Sequence, residues 1–181
     1  MRVLVPLASG VEELEAVTII DVLRRGGILV TSASLTDTLP VKGSRGVTLF
    51  ADATWGSLDV DDFDALALPG GGKGTEALAA DPRVLDAIRS FDKDGKLVAA
   101  LCAAPTVLAK AGILRDRRVT CYPTCADELG ASYDNAPVIA DGNLITSQGP
   151  GTAMLFSLVL VQHLASDEEA HRVADGLLTP F

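Results

Sequence analysis

The chain has 181 residues, 48% of them hydrophobic, and carries a formal charge of −9 with an isoelectric point near 4.6. That length can bury one substantial core, so a single domain over residues 1–181 is expected. The acidic balance excludes a general affinity for nucleic acid or anionic membrane, which requires a basic surface.

The opening Met1-Arg2-Val3-Leu4-Val5-Pro6 is too short an apolar run for a signal peptide, and no later run approaches a membrane span. Three cysteines, an odd number in a chain large enough to need no staples, point to a reducing cytoplasm rather than to export. Val3 to Leu7 suits a central parallel strand, and a helical pattern runs from about Val11 to Arg25 until Gly26-Gly27 stops it. Ile28 to Ser34 reads as a second strand, and Pro40 to Lys42 with Val47 to Phe50 as a hairpin around Gly43 and Gly46. Ala65 to Leu68 is a buried strand ending in Pro69-Gly70-Gly71-Gly72. Helices are expected over Thr75 to Ala80 and Pro82 to Asp92, the second capped by Asp81.

Lys96 to Leu101 is the next strand, and a helix over Ala104 to Ala111 follows directly from Cys102, closed by Gly112. Val119 to Tyr122, Val138 to Ala140 and Leu144 to Thr146 read as later strands. Gly149-Pro150-Gly151-Thr152 opens a long apolar helix to about Leu164, and Asp167 to Leu177 forms a terminal amphipathic one. Strands alternating with helices imply a mostly parallel sheet covered on both faces, with ligands bound beyond the carboxyl ends of the strands.

Cys102 sits where an apolar strand turns straight into a helix, with small Ala100 and Ala104 two residues to either side. This is the pattern of a nucleophile elbow. The new helix would point backbone N–H groups at the sulfur and favour thiolate; alternatively, Cys102 is a small buried hydrophobe. Glu15 shares a helical face with Ile19, Val22 and Leu23. Its carboxyl is therefore expected to face the core and keep its proton, close enough to hydrogen-bond the Cys102 sulfur, unless it merely joins Glu12 and Glu13 in an acidic first turn. For Glu12 and Glu13 the acidic-turn reading is preferred.

The Gly70 to Gly74 run lacks the Gly-Lys-Ser/Thr ending of a phosphate loop. It is either a plain turn or a close backbone approach that offers an amide to an oxyanion. Neither His163 nor His171 neighbours the elbow, so no Cys-His pair is visible. Cys121 and Cys125 are too few for a metal site, and core packing or a resolving-thiol role accounts for them.

Several segments in order resemble the ThiJ/PfpI superfamily, in the branch of the small parkinsonism-associated protein and its bacterial YajL-like relatives: Glu12 to Val17, Ser44 to Val47, Leu68 to Gly71, Ala99 to Pro105 and Thr146 to Thr152. The resemblance implies a flavodoxin-like α/β sandwich, a compact homodimer and an oxidation-sensitive Cys102 beside a protonated Glu15. It further implies an oxyanion pocket from the amides of Gly71 and Ala103, a surrounding pocket with Gly70, Tyr122 and Pro123, and dimer contacts through Leu14, Val17, Arg25 and Arg45. Two departures stand out. Ala103 replaces the histidine that follows the cysteine in proteolytic members, and Tyr122 stands where the parkinsonism-associated protein has a pocket histidine. Gln148 fits the bacterial branch.

Together these observations lead to the expectation of a cytoplasmic, cofactor-independent and metal-free cysteine enzyme. It would act on dicarbonyls such as methylglyoxal or on their early protein adducts. An oxidative-stress-sensing chaperone whose Cys102 becomes sulfinate is the alternative, and a step in thiamine-thiazole metabolism a weaker one.

Overall fold

The computed structural model describes residues 1–181. Strand β1 (Arg2–Leu7) buries five consecutive side chains after Arg2, as a strand does only when both faces of its sheet are covered. Helix α1 (Glu13–Arg25) follows and ends at Gly26. Next come β2 (Leu29–Ser34), the hairpin β3 (Pro40–Lys42) and β4 (Thr48–Phe50), β5 (Ala53–Thr54) and β6 (Ala65–Leu68). Helices α2 (Gly72–Ala80) and α3 (Pro82–Lys93) precede β7 (Leu97–Leu101) and α4 (Pro105–Ala111). The chain continues through the short α5 (Ala126–Leu129), then β8 (Val138–Asp141), β9 (Leu144–Ser147), α6 (Ala153–Leu164) and α7 (Asp167–Gly176).

Seven strands form one sheet in the order β5-β2-β1-β6-β7-β9-β8, parallel throughout except that β8 runs antiparallel to β9. Register explains the core. Leu4, Leu66, Val98 and Leu144 are paired in one row across four strands and enter the core on the α3 and α4 side. The neighbouring row Ala67, Ala99 and Ile145 faces α1 and α6. The two cores hold 23 and 26 buried residues, so the sheet lies near the middle of a three-layer flavodoxin-like sandwich. Each fully buried leucine or valine contributes about 1.5–3 kcal/mol to that arrangement. Strand order reverses between β1 and β6, the place where such sheets open a crevice beyond their carboxyl ends.

The ends of the helices follow local chemistry. Asp81 accepts from the Arg83 amide ahead of Pro82, Ser166 accepts from the Glu169 amide, and Gly112 closes α4 in the left-handed region at φ +83°.

Two expectations need correction. Val119 to Tyr122 forms no strand, only a bridge from Val119 to Tyr133, because β9 already occupies the edge of β7 where it would pair. Its groups are satisfied across the strand ends instead, Thr120 N donating to Thr146 Oγ1 at 2.9 Å and Tyr122 N to the Cys102 carbonyl at 2.8 Å. Helix α2 begins at Gly72 rather than Thr75, so half of the glycine run is helical.

Candidate active site

Cys102 directly follows β7 at φ +65°, a left-handed conformation that disfavours a non-glycine residue by roughly 1–2 kcal/mol. The strained turn is pinned from both sides. Its amide donates to the Ser147 carbonyl at 2.9 Å, and its own carbonyl accepts from Tyr122. Ala100 and Ala104 are fully buried, leaving no room for larger side chains beside the elbow. The sulfur is half-buried at the carboxyl edge of the sheet.

Glu15 is 0% exposed, and the Gly70 amide donates to its Oε2 at 2.8 Å. Its Oε1 is buried without a hydrogen-bond partner, an arrangement far less costly for a neutral acid than for a carboxylate. Burial raises the Glu15 carboxyl to about 7, against the opposing pull of the Gly70 amide and the Cys102 thiol. Burial, followed by the Glu15 charge, pushes the Cys102 thiol up to about 12, while the amides of Ala103 and Gly71 pull it down. The elbow amides alone therefore do not make a free thiolate, contrary to the sequence expectation. The repulsion from Glu15 exists only while Glu15 is ionised, so the two groups compete for one proton: thiol with carboxylate, or thiolate with carboxylic acid.

Glycine is required around this pair. A Cβ on Gly70 would sit 2.7 Å from the Cys102 Cβ and 2.9 Å from Glu15 Oε2. Gly71 lies at φ +98°, and a Cβ there would approach the Gly10 carbonyl oxygen to 2.4 Å. These close approaches bring the strand ends of β6 and β7 and the start of α1 onto one sulfur.

The structure brings Cys102, Glu15, Gly70, Gly71 and Ala103 together. Tyr122 and Pro123 lie beside the elbow through the Tyr122 amide, but both side chains are exposed, and the phenol ring packs over Gly149. Leu14 and Val17 are exposed on α1 at 52% and 48%, Arg25 pairs with Asp21 at 2.7 Å, and Arg45 is exposed near Glu12. Cys121 is buried and donates to the Tyr122 carbonyl, while Cys125 is half-buried. His163 lines a separate cavity with Met1 and Asp64, at the amino ends of the strands. No group of three or more His, Cys, Asp or Glu side chains is arranged to hold a metal ion. No helix is long and apolar enough to cross a membrane.

Glu13 plays a part that its place in an acidic first turn did not reveal. It is buried, and it accepts from the Arg45 and Val47 amides and from the Ser44 hydroxyl, tying α1 to the hairpin loop. Burial pulls its carboxyl upward, but the hydrogen bonds outweigh it and hold it at about 2. The only sequence signal is the polar Ser44-Arg45 turn some thirty residues later, which spacing alone does not connect to α1.

The chain as a whole is similar to known proteins. The profile of the DJ-1/PfpI family matches residues 1–163. Protein dj-1beta of Drosophila melanogaster is 45% identical over 98% of this chain and 97% of its own. The glutathione-independent glyoxalase DJR-1.2 of Caenorhabditis elegans is 36% identical over 94% of this chain and 89% of its own. The solved structure of oxidized DJ-1 of Toxoplasma gondii superposes with a TM-score of 0.96 at 37% identity, covering 99% of both chains.

Proposed function

The chain belongs to the DJ-1/PfpI family, and on that premise we propose that it is a cofactor-independent cysteine enzyme converting 2-oxoaldehydes such as methylglyoxal to 2-hydroxy acids. The observation that carries this reading is the pairing of a strained, half-buried Cys102 with a buried Glu15 whose carboxyl is raised to about 7. A relative of this chain bears the name of a glutathione-independent glyoxalase, which supports the same substrate class.

In this mechanism the ionised Glu15 takes the proton of the Cys102 thiol, and the thiolate so formed adds to the aldehyde carbon. The new oxyanion is held by the amides of Gly71 and Ala103 and takes the Glu15 proton, giving a hemithioacetal. Glu15, now a carboxylate, removes the hydrogen from the former aldehyde carbon and returns it to the neighbouring carbon through an enediol. The result is a thioester of the 2-hydroxy acid. Water attacks it, releases lactate from methylglyoxal and restores the thiol, so that aldehyde and water are the only reactants consumed. Early adducts of dicarbonyls with protein thiols and amines enter the same path once they dissociate to the free aldehyde. Leu14, Val17, Arg25 and Arg45 form a homodimer contact in this reading, and the enzyme works in the cytoplasm.

The test is lactate formation from methylglyoxal by the parent, Cys102→Ser and Glu15→Gln proteins, with the C. elegans glyoxalase as a positive control. Turnover by the parent and loss of at least about a hundredfold in both variants is expected. No turnover by the parent, in an assay where the control is active, removes the enzymatic reading. A second reading rests on the same donors: the amides of Gly71 and Ala103 with a protonated Glu15 would also hold the oxygens of a Cys102 sulfinate. That reading gains support if the parent makes no lactate and peroxide converts Cys102 to a stable sulfinate.

A further inference from the structure

Beside the thiol lies a cavity of about 530 Å3 bounded in part by Ser9, Glu12, Lys42, Arg45, Gly71 and Lys73, with no hydrophobic residue in its lining. It joins the reactive centre at Gly71, whose amide faces the Cys102 sulfur.

Its electrostatics run against those of the whole molecule. In a chain of net charge −9, and with the Glu13 carboxylate buried behind Gly43, the lining of this cavity holds three cations and one carboxylate. That carboxylate, Glu12, is already engaged, accepting from the Ser44 hydroxyl at 2.8 Å with Arg45 Nε at 3.9 Å. Neither Lys42 nor Lys73 has an acidic partner within 4.0 Å, since the ion pairs of this protein are made by arginines and one histidine. Two lysines that pair with no carboxylate therefore line one polar hollow.

The walls are drawn close by glycine. A Cβ on Gly10 would lie 2.6 Å from the Lys73 Cβ, and one on Gly43 would lie 2.5 Å from the Glu13 carboxylate. Helix α2 starts in this wall with glycine as its cap, no side-chain capping bond and no acidic residue in its first turn. The Gly72 and Lys73 amides donate to no protein acceptor. Donors and positive charge thus converge where neither an apolar tail nor a cation would be at home.

We propose that this cavity binds an anionic group, a carboxylate or a phosphate monoester, that the substrate carries on the side of its carbonyl away from Cys102. Lys42 and Lys73 supply the charge and the α2 amides supply the directed hydrogen bonds. The orientation rests on the reading of Cys102 as nucleophile; the anion site itself does not. The preferred substrates are then 2-oxoaldehydes with an acidic tail rather than methylglyoxal itself.

The site is tested without turnover by following iodoacetamide alkylation of Cys102, read by peptide mass spectrometry, at fixed pH and ionic strength with increasing inorganic phosphate or malonate. The parent is expected to show saturable protection. The Lys42→Met/Lys73→Met protein should need at least about tenfold more anion, the loss of roughly one charge-assisted contact. A Lys93→Met/Arg115→Met protein, with the same change of charge elsewhere, should behave like the parent. Protection by phosphate alone or by malonate alone identifies which group the site takes. Absence of saturable protection, or equal protection in the Lys42/Lys73 variant, overturns the proposal. In turnover, that variant should lose about tenfold in kcat/KM toward oxoaldehydes ending in carboxylate or phosphate, a loss the Lys93→Met/Arg115→Met protein should not show. If no aldehyde is turned over by any protein, the proposed reaction fails, and the protection experiment still decides the anion site.

Discussion

Gly70 and Glu15, 55 residues apart in sequence, meet through an amide-to-Oε2 hydrogen bond of 2.8 Å inside the protein. This contact seats the carboxyl beside the Cys102 sulfur and leaves the other carboxyl oxygen unpartnered.

The raised Glu15 carboxyl makes stability depend on pH. Its value moves from 4.5 to about 7 on folding. Below the lower value both states hold the proton. As pH rises between the two, the unfolded chain releases it while the folded protein keeps it, so stability falls and is lost through about 7. The expected loss is about 3 kcal/mol between roughly pH 4 and pH 8. Urea unfolding of the parent and Glu15→Gln proteins across that range should show the parent losing that much relative to the variant, the other carboxyls acting alike in both. Parallel curves would mean that Glu15 keeps an ordinary affinity for its proton.

Alkylation of Cys102 reports the same pair from the other side. In the parent its rate should change with pH near the Glu15 value of about 7, because repulsion begins when the carboxyl ionises. In Glu15→Gln that inflection should vanish, leaving a single rise set by the thiol. A parent profile identical to that of the variant would separate the two groups.

Gly70→Ala should destabilise the protein by roughly 1–3 kcal/mol through overpacking. The added methyl meets the Cys102 Cβ, Glu15 Oε2 and the Leu101 carbonyl oxygen, all within 2.9 Å. Denaturant midpoints measure the loss. A neutral outcome would show that the strand ends can separate without harm.

Strain at the elbow is separable from sulfur chemistry by comparing Cys102→Gly with Cys102→Ala. Both lack the thiol, but only alanine retains a Cβ at φ +65°. The glycine protein should be the more stable by about 1 kcal/mol, read from chemical denaturation. The reverse order would place the strain elsewhere.

Leu14→Asp should weaken self-association, since Leu14 is half-exposed and apolar beside the equally exposed Val17. Sedimentation of the parent and variant over a concentration series checks this. A parent that stays monomeric throughout removes the proposed dimer.

Much of the sandwich was legible because burial writes itself locally. Runs such as Val3 to Leu7 and Ala65 to Leu68 have no polar side chain to turn toward water, and Pro82 after Asp81 marks a helix start. Glu15 was legible for the same reason, as a carboxylate in apolar company at helical spacing. Val119 to Tyr122 misled because an apolar run satisfies a strand pattern whether or not a sheet edge is free to receive it. Glu13 does stand in the acidic first turn of α1, but its tie to the hairpin was not legible because its partners lie on a distant loop. The proton affinity of Cys102 depends on burial and on the charge of Glu15, neither of which a turn motif encodes.

The bond between Gly70 and Glu15 also makes the thiol an internal gauge of integrity. Cys102, Gly70 and Glu15 come from separate strands and a helix, so local opening of any one dissolves the pair and returns the sulfur to the behaviour of a cysteine in a loose peptide. A molecule that has begun to unravel therefore announces it chemically, before its backbone has come apart.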